Sequence, residues 1–455
     1  MAEGIEYIGR KEVAWSYAAT FFTIGAGLIL LPFILHKLPA ETVGIWYIFQ
    51  TIQMLVFMLD FGFRPSFTRN ISYVFSGVSK LKQEGVEHIT KVDTIVDYSL
   101  LNATISAMRR FYRLVALAVL LLLITIGSVY MYFISQKYTG DRNDMMVAWL
   151  MFIAISSYNM YTFFYDALLS GKGYIKRIQQ ITIVGQGIYM SLAVILLYAG
   201  MGLTAIVSAQ LVSVVLRRVL AHVVFYDKEM RKNLAVTHSD RQQEREVMHA
   251  IYPNAVKVGL TQLGGFLVNK SALLIGGHFL PLATIGAYGL VTQVLDILAR
   301  CGCVTYQSYT PRLAQCRASN NIHELKKLYI YSVVSLFAVI AAGGASFVFA
   351  GDWALGLIKS DTTLLPKAML CVMLVICLLE QNHYIAAGFI MADNKIPFFI
   401  PSLLSGAATI ILIWLFLYVF DMGVWGLILA PGIAQLAYQN WKWPSVIIHE
   451  LKQAR

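Results

Sequence analysis

An α-helix needs about 20 consecutive apolar residues to cross ~30 Å of hydrocarbon. Windows of that kind, with few or no charges inside them, recur along this whole 455-residue chain. Val13 to Leu35 is the first, followed by Thr42–Leu59, Leu114–Gln136 and Met145–Tyr165. Ile178–Leu216 is long enough for two spans, with Gly200-Met201-Gly202 as the turn between them. Six more windows lie near 252–277, 283–306, 328–350, 367–391, 396–420 and 422–441, which makes twelve. Only 13% of the residues are charged and 58% are hydrophobic. A soluble surface must be wetted and runs nearer a quarter charged. Water cannot be the solvent for most of this surface, so the expected fold class is an all-α polytopic membrane protein of about twelve transmembrane helices.

The formal net charge of +11 is not gathered into a stripe suited to nucleic acid. The basic residues lie between the apolar windows, where they report topology. With the N-terminus cytoplasmic, thirty of the 36 lysines and arginines fall in inner segments and five in outer loops, with Lys270 alone in mid-span. The first apolar run is too long for a signal peptide and reads as the first anchor. Both termini are expected to be cytoplasmic.

The cysteines, Cys301, Cys303, Cys316, Cys371 and Cys377, lack metal or redox spacing and read as buried small hydrophobes. No zinc, phosphate-loop or nucleophile motif is present, and the outer loops are too short to house an enzyme's catalytic groups.

The longest inner segments are 70–111 and 226–250. In the first, Ile95, Tyr98, Leu101, Ile105, Met108 and Tyr112 fall at helical spacing. They form either an interfacial helix or, preferably, an inward extension of the third span. Lys228–Glu246 mixes charges and reads as a solvated linker. The expected organisation is a six-helix bundle at 1–226, a linker at 227–250 and a second six-helix bundle at 251–455.

An internal repeat supports two halves. His36-Lys37-Leu38-Pro39-Ala40-Glu41-Thr42-Val43-Gly44 matches His278-Phe279-Leu280-Pro281-Leu282-Ala283-Thr284-Ile285-Gly286 at five of nine positions, 242 residues apart. Inner turns at Gly171-Lys172-Gly173 and Asn394-Lys395 echo it weakly. Halves with an even number of spans are related by a pseudo-two-fold axis along the membrane normal, with a central cleft as the natural substrate path.

The chain resembles the polysaccharide transporter branch of the multidrug/oligosaccharidyl-lipid/polysaccharide (MOP) flippase superfamily, the branch of O-antigen and capsule-repeat (Wzx-type) flippases. The resemblance rests on Leu30-Leu31-Pro32, Val43-Gly44-Ile45-Trp46, Leu59-Asp60-Phe61-Gly62 with Arg69 beyond it, and Ser170-Gly171-Lys172. In the second half it rests on Val268-Asn269-Lys270 through Ile275-Gly276, and on Ile285-Gly286-Ala287-Tyr288. It implies an undecaprenyl-diphosphate-linked oligosaccharide moved from the cytoplasmic to the periplasmic leaflet of the bacterial inner membrane, with polysaccharide polymerase and chain-length proteins as partners. Relatives often carry an acid in the seventh span where this chain has Lys270-Ser271, which departs from any shared ion-coupling role there.

Each ionisable group in a span costs a few kcal/mol on insertion scales and needs a reason. Lys270 either neutralises a diphosphate across the cleft or snorkels to the outer surface. Asn269 beside it donates to sugars or bonds another helix. Asp60 and Arg64, and Asp296 and Arg300, are each four apart. Either each is a local ion pair, or the arginines line the inner half of the cleft and engage phosphate. Arg69 sits at the inner mouth, as a phosphate contact or a headgroup anchor. Glu380, with His383 on the same face, either couples transport to a proton or sodium gradient or pairs structurally. Asp60 and Asp296 are the other acids available for coupling. Tyr158, Tyr161, Phe164 and Tyr165 form an aromatic stripe that packs against the core or lipid, or stacks on sugars. The rival reading is a multidrug extruder of the same superfamily, whose cleft should be acidic or neutral. A glycan polymerase or ligase is the more distant alternative.

Overall fold

The computed structural model of the chain describes residues 10–75, 77, 96–237, 241–318, 321–392 and 397–453. The Asn394-Lys395 turn and most of the segment after Phe75 lie outside them. Among the described residues there is no strand, and each of the twelve apolar windows falls on helix. Hydrocarbon offers no partner for a backbone N–H or C=O, so a spanning segment must satisfy these groups internally. Among the described residues, eight helices are long and apolar enough to cross a membrane, or nine when one bent pair is taken as a single span.

The chain divides into two compact units. The first comprises residues 1–37 and 52–260. It holds α1 (Arg10–Lys37), the C-terminal part of α2 (Ala40–Met58), α3 (Phe63–Phe75) and α4 (Tyr98–Lys137). Next come α5 (Arg142–Tyr161), α6 (Phe164–Gly171), α7 (Ile175–Tyr198), α8 (Gly202–Phe225), α9 (Lys228–Ala235) and most of α10 (Arg241–Asn269). The amphipathic segment before Leu114 is an extension of the third span: α4 starts at Tyr98, capped by the Asp97 carboxylate, which accepts from Leu100 N–H at 3.0 Å. Leu101, Ile105, Met108 and Tyr112 are its buried face. The expected solvated linker is helical in its described residues. Asp227 caps α9, and α10 runs from Arg241 into the seventh span, tied by Glu244 to Arg110 at 3.3 Å.

α2 and α3 form one bent span, turned by 46° at Leu59–Gly62. The turn needs left-handed backbone at Phe61 (φ 45°) and Gly62 (φ 72°), which glycine supplies without a Cβ clash. Asp60 holds the turn in place. Its carboxylate accepts the backbone N–H of Arg64 at 3.1 and 3.2 Å and the Tyr112 hydroxyl at 2.6 Å. The acid thus caps α3.

The second unit comprises residues 38–51 and 261–455. It holds α11 (Ser271–Phe279), α12 (Leu282–Gly302), α13 (Val304–Ala318), α14 (Ile322–Leu357), α15 (Lys367–Met391), α16 (Phe399–Val419), α17 (Val424–Leu436) and α18 (Gln439–Gln453). The sequence repeat acquires a physical cause here. A Cβ on Gly44 would overlap the Leu282 carbonyl oxygen, and one on Gly286 would lie 2.8 Å from the Ala40 carbonyl oxygen and 3.1 Å from Gly44 N. The two copies pack glycine against glycine, so neither tolerates a side chain. Close by, the Tyr47 hydroxyl donates to Gln293 at 2.6 Å. The repeat extends to the bends as well. Shifting Asp60 by 242 gives Gly302, and the eighth span breaks at the next residue, Cys303.

The seventh span breaks at Lys270, between α10 and α11. There the Ser271 hydroxyl bonds back to the Leu267 carbonyl, a contact that bends helices. Cys301 and Cys371 are exposed, contrary to the uniform burial expected of the cysteines; Cys303, Cys316 and Cys377 are buried. The aromatic stripe is likewise interrupted. The turn at Thr162-Phe163 separates α5 from α6, so Phe164 is buried while Tyr158 and Tyr161 are exposed.

Candidate functional site

Each unit contains a polar cavity of its own. In the first, a space of about 760 Å³ is lined by Arg64, Arg69, Arg217, Arg218, Asp166 and Asn159, among others. The bend after Asp60 brings Arg64 into its wall, and Arg69 follows on the same helix. Arg217 and Arg218 come from the C-terminal half of α8, while Asp166 is on α6. Arg218 is only 9% exposed. It pairs with Asp166 at 2.7 Å and donates to the Asn159 Oδ1 at 2.7 Å. Desolvating a guanidinium without such partners is strongly unfavourable. Phe163 supplies an aromatic floor, with the Arg64 guanidinium 4.8 Å and the Arg218 guanidinium 5.8 Å from its ring centre. Arg217 is held differently: its side chain fills the space over Gly185 on α7, where a Cβ would overlap it.

Asp166 is the one carboxylate in this wall among the described residues, and Arg218 pairs with it. The other three arginines of the wall form no ion pair among the described residues. Guanidinium groups present planar forks of donors that fit phosphate and carboxylate oxygens.

The second unit has two smaller adjoining cavities, of about 200 and 300 Å³, which share Val268, Asn269, Glu380 and Gln381 as lining residues. Lys270 and Asp296 line the first of these and form an ion pair at 2.6 Å. His383 and Gln435 line the second. His383 Nδ1 lies 2.9 Å from Asn440 Oδ1.

The expected pairings are corrected in two places. Asp60 takes the Arg64 backbone N–H, not its guanidinium, because the bend turns the side chain over Phe163. Asp296 pairs with Lys270 across two spans and not with Arg300 one turn away, because the break at Lys270 aims the ammonium at it. Lys270 is therefore a compensated cation. Arg300 is exposed and does not line the Lys270 cavity. Glu380, Asn269 and Lys270 do come together, and so do Arg64 and Arg69 in the other unit. Sequence reasoning did not single out Arg217, Arg218, Phe163 or Gln435. The two arginines were hidden inside a run already explained by membrane topology; their adjacency at the end of an apolar span was the available signal.

No family model matches the sequence, and no curated protein does. Solved structures match at full length. A multidrug resistance MATE family transporter of the MOP superfamily in its inward-facing conformation superposes with a TM-score of 0.69 at 13% identity, covering 96% of both chains. Such a transporter in the outward-facing conformation gives 0.57 at 14% identity, over 97% of this chain and 96% of the other. A MOP superfamily transporter from Pyrococcus furiosus, described as having a binding pocket of reverse polarity that suggests a different function, gives 0.52 at 14% identity, with 97% and 96% covered. The chain is an all-helical, multi-pass membrane protein with the fold of the MATE transporters of the MOP superfamily.

Proposed function

We propose that the protein is a transporter, not an enzyme, and that it flips an undecaprenyl-diphosphate-linked oligosaccharide from the cytoplasmic to the periplasmic leaflet of the bacterial inner membrane by alternating access. The observation that carries this reading is the sign of the large cavity, where four arginines face a single, already paired aspartate. A diphosphate offers the charge and the oxygen geometry that such a wall accepts, whereas an organic cation would be repelled. Arg64, Arg69 and Arg217 are the proposed diphosphate contacts, with Arg218 held in place by Asp166 and Asn159. Glu380 is the proposed site of coupling to a proton or sodium gradient, since it lies with Asp296 and Lys270 in the second unit.

A second reading, multidrug extrusion, is favoured by one fact: the full-length structural relatives include multidrug MATE transporters. A deletion strain separates the two. Loss of surface glycan with unchanged drug tolerance is expected, and accumulated lipid-linked precursor should remain in the cytoplasmic leaflet. Drug hypersensitivity with normal surface glycan would replace the flippase reading by extrusion.

A further inference from the structure

We infer that the 300 Å³ cavity of the second unit is a separate binding site for uncharged sugar residues of the glycan. The inference rests on the flippase reading and adds to it a second site, distinct from the arginine-lined one. Residues of α10, α15, α16, α17 and α18 bound the cavity. Its polar wall is Asn269, Gln381, Gln435, Glu380 and His383, with the Tyr384 ring beside them.

Gln435 is the telling residue. It is 5% exposed, and its Oε1 has no hydrogen-bond partner among the described residues. A buried acceptor left unpaired is destabilising, and such groups are rare in folded proteins unless a ligand uses them. Neighbouring Gln439, by contrast, is tied at both ends. It donates to Ser405 Oγ at 3.1 Å and accepts from the Trp443 ring N–H at 3.3 Å, so it serves as rigid wall. Asn440 Oδ1 can only accept, so His383 Nδ1 carries the proton and its Nε2 is left as an acceptor.

The wall therefore combines acceptors (Gln435, Glu380, His383) with the two-way amides of Asn269 and Gln381. The Asn269 amide N–H is already taken by Glu380, while the Gln381 amide can donate to a ligand, which a metal cation would leave unused. A sugar hydroxyl both donates and accepts, and a sugar face stacks on a ring such as Tyr384. The volume is at the lower end of ligand pockets, which fits a sugar ring better than a metal ion.

Room is provided by Gly265 on α10. An ideal Cβ there meets nothing within 4 Å, although the residue lines the cavity. Position 265 therefore has open space for a Cβ at the edge of the cavity.

The test uses the full-length protein in lipid nanodiscs and two probes: undecaprenyl diphosphate, and the lipid-linked oligosaccharide extracted from the parent strain. Wild type is expected to bind the oligosaccharide-bearing lipid about tenfold tighter than the bare lipid. Gly265→Leu and Gln435→Met should erase that preference and leave bare-lipid binding unchanged. Gln435→Met should also melt at a higher temperature, because it removes the unpaired oxygen; a purely structural glutamine would melt lower. If both variants keep the preference, the sugar site is refuted while the flippase reading stands. If wild type binds neither lipid, the flippase reading itself fails. If Gly265→Leu instead abolishes binding of tetraphenylphosphonium, the cavity is a cation site and the inference is overturned.

Discussion

The arginine-lined cavity of the first unit and the amide-lined cavities of the second hold opposite solutions to burying polar groups in an apolar molecule. The first keeps charge in excess. Among the described residues only Arg218 of its four arginines forms an ion pair, while the exposed Arg64 leans on a ring and Arg217 lies over a glycine. The second keeps its one cation compensated, with Lys270 held 2.6 Å from Asp296, and adds neutral amides around Glu380. Uncompensated charge in a low-dielectric setting is unfavourable unless a ligand supplies the counter-charge. The contrast teaches that the excess of positive charge lies in the first unit, although the most conspicuous mid-span cation in the sequence is in the second.

This comparison can be broken experimentally. The largest effect is expected from Arg218→Leu, which removes the most buried arginine of that cavity and leaves Asp166 and Asn159 without their partner. It should destabilise the protein by about 3 kcal/mol, read as a loss of thermal stability in detergent, and Asp166→Asn should recover part of that loss. A smaller effect on folding and a large one on binding are expected for Arg64→Ala with Arg217→Ala. Protein level should stay normal while affinity for undecaprenyl diphosphate falls roughly thirtyfold, about 2 kcal/mol. An unchanged affinity would remove the first-unit cavity from the substrate path.

Next, Lys270→Met should cost about 1 kcal/mol, because Asp296 is left half-exposed and unpaired, and Lys270→Met with Asp296→Asn should restore stability. If the single variant instead abolishes diphosphate binding, the contrast between the units is wrong. The smallest effect is expected for Arg300→Ala, within about 0.5 kcal/mol of wild type and without change in binding, since the side chain is exposed and outside the Lys270 cavity.

The helical architecture was legible in the sequence because it follows from a local requirement. A run of apolar residues in hydrocarbon must be helical, and its length is set by the bilayer. Lys367–Met391, for example, begins and ends where the apolar window does. The repeat at His36–Gly44 and His278–Gly286 was legible too, but its cause was not. Nothing in the spacing says that Gly44 and Gly286 touch. Pairing of charges was misread at Asp60 and Asp296, because four-residue spacing predicts neighbours only on an unbroken helix. Both sites lie beside a break or face one: the left-handed turn at Phe61-Gly62 and the interruption at Lys270.

The amino-acid sequence by itself determined that the chain is an all-helical membrane protein with two related halves, since apolar length and repeated glycines are properties of the linear order. Only the tertiary structure decided which charges are matched and which are not. That outcome depends on distances between side chains far apart in the chain, such as Arg218 and Asp166 or Lys270 and Asp296. Electrostatic energy in a low-dielectric interior changes steeply over those few ångströms.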